Sequence, residues 1–301
     1  MKVYLTPPQP SRGLQRIADA LVKWKPDGVE VVSDEREAEL VVLYAIGRNG
    51  ALVRKAVELQ GNKQKYAVIQ VCLRSTMKPR TDAWLHLWWA AEVVWSYYDL
   101  NAAITVDGSD DRPLLNFYHA PLGADAEVFR DPFVSERWES IPRNGRNFII
   151  TTSGLSRLSE SVRECWLAAK EVDGKVFHVG PSIRTNQLIQ FSRDCTDIEM
   201  AIHYAASQFV SALRRTEGFE LPAVEGLLCG ARPICFSTRD YRTWYEPFAE
   251  FIEEGSRADV VESLVKLFKQ GARPVTEDEL ALARERFNWK TIIEGFYSRV
   301  Q

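Results

Sequence analysis

The sequence predicts an α/β protein of two domains, each a parallel β-sheet covered by helices on both faces. Three observations carry that expectation. Short runs rich in β-branched and aromatic residues alternate with helical stretches along the whole chain. Those runs are apolar throughout rather than on every second residue, the pattern of strands buried on both faces. The alternation stops once, over the charged, proline- and glycine-containing segment 123–147, and then restarts.

In the first half, KVYLT (2–6) reads as a strand and GLQRIADALVKW (13–24) as a helix with Leu14, Ile17, Ala18, Leu21 and Val22 on one side. GVEVV (28–32), ELVVLYA (39–45) and YAVIQVC (66–72) follow as strands, with the helical ALVRKAVELQ before the last. TDAWLHLWWAA (81–91) reads as a helix, and EVVWSYY and NFYHAP as extended chain. After the break come strand NFIITT (147–152), helix SESVRECWLAAKEV, strand KVFHVG (175–180) and helix DIEMAIHYAAS. Strand QFVSAL (208–213), helix LPAVEGLLC, strand RPICF (232–236) and a helical region ending in FNWKTIIEGFYSRV complete the chain. This rhythm sets an N-terminal domain over 1–125, a linker over 126–146 and a C-terminal domain over 147–301. The last helix is a candidate to pack back on the first domain. Ligands in such sheets sit beyond the carboxyl ends of the strands, which for two domains means the cleft between them.

The bulk numbers agree with a chain that buries a sizeable core: 301 residues, 46% hydrophobic and 26% charged. A net charge of -3 gives no global signature of nucleic-acid binding. Cys72, Cys165, Cys195, Cys229 and Cys235 are odd in number and contain no C-x-x-C pair, which argues for a reducing compartment over a disulfide framework or structural zinc site. Pro7, Pro8 and Pro10 precede any apolar stretch of signal-peptide length, and no segment nears the roughly 18 apolar residues of a membrane span. The expectation is a cytoplasmic protein.

The chemistry concentrates in RRTEGFELPAVEGLLCG (214–230). Pro222 is excluded from a helix interior but suits a first turn, so a helix starts near Leu221 and stops at Gly230. Glu225 then lies in the early turns of that helix, and Glu217 in the loop leaving the strand 208–213. Gly218 lets the loop backbone approach a ligand closely. Ionised carboxylates only accept hydrogen bonds, and two oxygens can take a vicinal diol. A ligand with hydroxyls at both ends, such as a nucleotide-sugar, matches two such acids. The plainer alternative makes Glu225 an acid favoured by the helix dipole and Glu217 exposed loop charge.

TEGFELPAVEGLLCGARPICFS resembles the signature of retaining group 1 glycosyltransferases of the GT-B fold, E-G-F-G-L-P-x-x-E-A-x-x-x-G-x-P-V. Glu217, Gly218, Phe219, Leu221, Pro222, Glu225, Gly230 and Pro233 fall in register with it. MAIHYAASQFVSAL is similar to the helix and buried strand that lead into the motif, FNWKTIIEGFY to the family's closing aromatic helix, and FYHAPLGADAEVF (117–129) to its hinge segment. The resemblance covers 117–301; the first 116 residues match in rhythm alone. It implies two Rossmann-like domains facing each other across a cleft. It also implies a metal-independent hexosyltransferase that retains anomeric configuration by front-face attack. Glu217, with Gly218 and Phe219, would serve the transferred sugar and Glu225 the nucleoside ribose, with Glu220 and Leu221 between them in the same loop. No cofactor is implied beyond a UDP-, GDP- or ADP-sugar as substrate.

Several positions depart from the pattern. The family's G-R-L-x-x-x-K-G stands here as TTSGLSRLSESV: Gly154 matches, Leu155 replaces arginine and Glu160 replaces lysine. Arg157 is the candidate substitute on the diphosphate, with Arg163 behind it. Glu220 replaces a glycine and adds a third acid. STRDYRTWYE, after Pro233, lacks the usual glycine pair and places Glu246 late. In the first domain SRG (11–13) stands for a glycine pair, and Gln70 and Cys72 stand near the place of a histidine. Trp84, Trp88, Trp89 and Trp95 have helical and core spacing rather than that of a binding platform. His119 precedes the hinge segment and could meet the cleft, with a satisfied core or interdomain histidine as the favoured reading. His86, His178 and His203 show no metal-ligand spacing with one another, and Arg12, Arg16, Arg143 and Arg146 read as a solvated face.

The leading function is therefore transfer of a sugar from a nucleotide-diphosphate-sugar to an acceptor, with a glycan or lipid ahead of a hydroxylated DNA base. The alternative is a nucleotide-sugar-binding protein without turnover, motivated by the altered 154–161 segment. No G-x-G-x-x-G follows any strand, which argues against a dinucleotide oxidoreductase.

Overall fold

A computed structural model describes residues 1–8, 12–46, 50–71, 82–105, 113–130, 147–152, 161–180, 189–192, 195–215 and 217–300. The chain divides into two compact units. The first comprises Met1–Leu122, Thr216–Gly218 and Trp289–Gln301; the second comprises Gly123–Arg215 and Phe219–Asn288.

The first unit holds six parallel strands: β1 (Lys2–Leu5), β2 (Glu30–Val32), β3 (Leu40–Ile46), β4 (Lys65–Val71), β5 (Val94–Ser96) and β6 (Phe117–His119). Their order is β2-β1-β3-β4-β5-β6. Helices α1 (Arg12–Lys23), α2 (Gly50–Gly61), α3 (Asp82–Trp89) and α4 (Leu100–Thr105) connect them, and α11 (Trp289–Tyr297) joins the unit from the end of the chain. β3 and β4 are buried almost throughout, as expected of central strands covered on both faces. In α1, Leu14, Ile17, Ala18 and Leu21 are buried as their spacing predicts. Val22 is 46% exposed instead, and Ala20 takes the inward position.

α11 closes the first unit. Trp95, fully buried in β5, has the Trp289 ring edge-on at 6.4 Å and the Phe296 ring at 5.8 Å. Tyr118 Oη donates to the Ile292 carbonyl at 3.0 Å, and Tyr297 Oη to the Leu21 carbonyl of α1 at 3.3 Å. Gly295 is required here, because a Cβ would collide with the Tyr118 hydroxyl.

The second unit holds β7 (Asn147–Thr152), β8 (Val176–Val179), β9 (Ile189–Ser192), β10 (Ser207–Ala212), β11 (Arg232–Phe236) and β12 (Glu250–Ile252). All pairings are parallel, in the order β12-β11-β10-β7-β8-β9. With β7 as the first strand this is the Rossmann order 3-2-1-4-5-6. Its helices are α5 (Val162–Glu171), α6 (Asp197–Ala205), α7 (Leu221–Leu228), α8 (Arg239–Tyr245), α9 (Arg257–Gln270) and α10 (Glu277–Arg286). Reciprocal capping boxes start α6, α9 and α10 at Thr196, Ser256 and Thr276.

One buried cation ties β11 to the start of α10. Arg232 has no exposed surface. Its guanidinium donates to the carbonyls of Arg273 (3.0 Å), Phe248 (2.6 Å) and Pro274 (2.5 Å), and to both oxygens of Glu279 (2.8 and 3.0 Å). Burial pushes the Glu279 carboxyl up, but Arg232, the Thr276 amide and Arg273 outweigh it and bring it down to about 2.

Candidate functional site

The second sheet reverses direction of growth between β7 and β10, and ligands of such sheets bind beyond the carboxyl ends of the strands at that switch point. The segment that follows β7 there, with the sequence-selected Gly154 and Arg157, lies outside the described residues. The segment that follows β10 is the one carrying the two spaced acids.

That segment behaves as its residues dictate. β10 ends at Ala212, and α7 begins at Leu221 with Pro222 in its first turn and extended Glu220 before it. α7 ends at Leu228, and Gly230 follows at φ +87, a left-handed geometry that a side chain would strain. Gly226 sets the packing depth: a Cβ there would lie 2.6 Å from Val210 Cγ1, so only glycine lets α7 approach β10 this closely. The neighbouring Glu225 is thereby drawn into the interior, 3% exposed, where Tyr204 Oη of α6 donates to its Oε2 at 3.1 Å.

The loop residues between β10 and α7 divide their roles. Phe219 is buried with its ring against Tyr245 (5.3 Å), Phe287 (5.9 Å) and Trp244 (6.5 Å), so its side chain serves the core. Leu221 is also buried. Glu220, which replaces the glycine of the resembling motif, is only 7% exposed and is matched by Arg214, whose Nε lies 3.1 Å from Glu220 Oε1. Tyr245 Oη donates to the Glu220 carbonyl at 2.7 Å and accepts from its amide at 3.3 Å. Burial pushes the Tyr245 hydroxyl and the Cys235 thiol well up, so both remain protonated beside this ion pair.

Glu217 and Gly218 group with the first unit. Glu217 is 6% exposed, and two consecutive tyrosines hold it: Tyr97 Oη donates to Glu217 Oε2 at 2.9 Å, and Tyr98 Oη donates to the same oxygen at 3.1 Å. Both tyrosines follow β5 at its carboxyl end. A line of buried hydrogen bonds stands behind them. The Tyr98 amide donates to Ser96 Oγ (3.1 Å), and Ser96 Oγ donates to the Gln70 carbonyl (2.9 Å). The Gln70 side chain accepts from Trp88 Nε1 (3.2 Å) and donates to the Ala45 and Val71 carbonyls (both 3.1 Å). Gln70 is thus a structural residue that aligns the ends of β3, β4 and β5.

The remaining candidates resolve as follows. Trp88 and Trp95 are core residues and Trp89 is half-buried. The side chains of Arg12 and Trp84 and the whole of Cys72, Arg143 and Arg146 lie outside the described residues. Arg163 is exposed on α5. Glu246 caps α8 and pairs with Arg242 at 3.2 Å. His178 is fully buried and within 2.9 Å of Thr151 Oγ1, its register neighbour on β7. His203 stacks on Phe177 at 3.9 Å, and burial lowers its pKa. His119, exposed at the end of β6, has Nε2 3.3 Å from the Tyr97 carbonyl. Among the described residues no three His, Cys, Asp or Glu side chains group as a metal site, and no helix is long and apolar enough to cross a membrane.

No protein-family model matches the chain, and no curated protein does. Solved structures do match. The Anabaena protein HepE, in complex with UDP and glucose, is 15% identical with a TM-score of 0.68, covering 99% of this chain and 98% of its own. Sucrose-phosphate synthase from Thermosynechococcus elongatus is 12% identical with a TM-score of 0.71 over the same shares. AviGT4, a glycosyltransferase of avilamycin A biosynthesis, is 12% identical with a TM-score of 0.63, covering all of this chain and 97% of its own. The protein therefore has the α/β fold of two parallel-sheet domains found in GT-B glycosyltransferases.

Proposed function

We propose that the chain is a glycosyltransferase that moves a sugar from a nucleotide-diphosphate-sugar to a hydroxyl of an acceptor, with retention and without a metal ion. One observation carries this reading. The loop acid Glu217 and the helix acid Glu225 flank the connection after β10, at the switch point of a Rossmann-ordered sheet, in a fold shared with a protein solved with UDP and glucose.

In this reading Glu225 accepts the ribose diol, its carboxylate aligned by Tyr204. Glu217 accepts hydroxyls of the transferred sugar, and the main chain of Gly218, Phe219, Glu220 and Leu221 lines the sugar and diphosphate. Gly154 and Arg157 offset the charge that develops on the departing diphosphate, the electrostatic work usual for such transfers. The bond from the anomeric carbon to the diphosphate oxygen breaks while a bond to the acceptor oxygen forms on the same face. The acceptor proton passes to the departing phosphate oxygen. A UDP-sugar is the first donor to test, since HepE is also solved with UDP-glucose. A glycan or lipid acceptor comes before a hydroxylated DNA base, given the net charge of -3, and the scattered cysteines fit a cytoplasmic place of action.

A thermal-shift screen with UDP-, GDP- and ADP-sugars, followed by detection of released nucleoside diphosphate, tests the proposal. A donor at a hundred times its Kd adds about 2.7 kcal/mol of stability. We expect a UDP-sugar to raise the midpoint and to be turned over; no shift and no release with any donor overturns the reading. A shift without release selects the second reading, a binder without turnover, which the replacement of arginine and lysine by Leu155 and Glu160 favours.

A further inference from the structure

We infer that Tyr97 and Tyr98 are positioning residues for Glu217, a role that rests on the reading of Glu217 as the acid serving the transferred sugar. Two buried phenols, 4% and 1% exposed, donate to one carboxylate oxygen at 2.9 and 3.1 Å, with their rings 4.6 Å apart. Hydrogen bonds to a carboxylate are stronger than neutral ones, and two on one oxygen fix both the side-chain rotamer and the plane of the carboxylate. Neighbouring residues on a strand point to opposite faces, so a strand continuing through 97–98 could not aim both hydroxyls at one atom. β5 stops at Ser96, the chain bends, and the Ser96 hydroxyl, itself bonded to the Gln70 carbonyl, holds the Tyr98 amide at 3.1 Å.

Loop packing alone does not require this arrangement. Rings without hydroxyls would fill the same volume, whereas a carboxylate that is 6% exposed needs donors to replace its lost hydration and to fix its orientation. With Oε2 committed to the phenols, the carboxylate is presented to the sugar in one orientation instead of several. Such pre-organisation acts on the chemical step more than on nucleotide affinity, because the diphosphate and ribose are held by other groups.

The test uses Tyr97→Phe, Tyr98→Phe and the double variant of the full chain, with Tyr66→Phe as control. Tyr66 Oη is an equally buried phenol, bonded to the Leu87 carbonyl at 2.9 Å and outside the site. Release of UDP from UDP-glucose, GDP from GDP-mannose and ADP from ADP-glucose gives kcat and KM, and titration with the nucleoside diphosphate gives its affinity. The expected result is a loss in kcat of about tenfold for each hydroxyl removed, the loss of one charge-assisted bond. KM and nucleotide affinity stay within about threefold, and the Tyr66→Phe rate stays unchanged. An active wild type whose Tyr→Phe variants keep full kcat, or lose it only in step with Tyr66→Phe, overturns the positioning role and leaves the transferase reading standing. A wild type that releases no nucleotide from any donor overturns that reading, and the proposal with it.

Discussion

Substituting Glu279→Gln removes the counter-charge of a guanidinium that has no exposed surface, and its cost can be worked from the geometry. The carboxyl sits at about 2 against an ordinary 4.5. At about 1.4 kcal/mol per pH unit that gap is worth at most about 3 kcal/mol, and solvent on the Arg273 side reduces it to about 2 kcal/mol. Arg232 keeps its three carbonyl acceptors in the variant but loses the charge-assisted pair, which places the total near the lower end of the 3–5 kcal/mol typical of a broken buried pair, about 3 kcal/mol. For a chain of 301 residues, at roughly 2.1 cal/mol/K of unfolding entropy per residue, the midpoint should fall by about 5 °C at pH 7. A carboxyl lowered on folding stabilises above its unfolded value and loses that contribution as pH falls. The difference between wild type and variant should therefore be full above about pH 5 and shrink towards pH 2. Thermal melts followed by circular dichroism at pH 7, 5, 4 and 3 measure it. A variant within 2 °C of wild type at pH 7, or a difference that stays constant down to pH 3, would show that the reasoning is wrong.

Gly226→Ala should destabilise the second unit by about 1–3 kcal/mol, because its Cβ would stand 2.6 Å from Val210 Cγ1. Adding Val210→Ala should recover part of the loss in urea titrations, and absence of recovery would locate the strain elsewhere. Glu217→Ala should lower kcat by at least tenfold while nucleoside diphosphate affinity, read by calorimetry, stays within about threefold. Glu225→Ala should instead weaken nucleotide binding by about tenfold or more, the loss of a charged hydrogen-bonding partner. Equal effects of the two substitutions on affinity would contradict the division of labour between the acids.

Much of the fold was legible because its signals are local. Pro222 and Gly230 bracket α7 by backbone chemistry alone, β3 announces itself as an unbroken apolar run, and β4 and β11 by the apolar stretches YAVI and PICF. β12 was not legible: EFI is three residues long at a sheet edge, begins with an acid, is followed by two more, and is indistinguishable from loop. The inward face of α1 was read with Val22 in the place of Ala20, because alanine carries too little hydrophobicity to claim a face. The acids Glu217 and Glu225 stood out by spacing. Their partners did not. Tyr97 and Tyr98 read as the continuation of a strand, and only the bend after Ser96 turns both hydroxyls to one atom. Tyr204 lies within the helical stretch DIEMAIHYAAS and Arg232 at the start of the strand RPICF, its counter-ion 47 residues away, and nothing local marks either partner. Nothing short of the folded chain connects such pairs.

The helix that seals Trp95 is made after every strand described above. Residues 1–122 carry every strand of the first unit, yet the rings of Trp289 and Phe296 arrive only after the intervening segments have been synthesised. During translation the second unit can therefore complete its core while the first still shows water a bare indole and the unfilled groove beside Tyr118. A fragment ending at Leu122 would inherit that exposed surface permanently and should aggregate, whereas a circular permutant that fuses 289–297 ahead of residue 1 would let the first unit finish folding early.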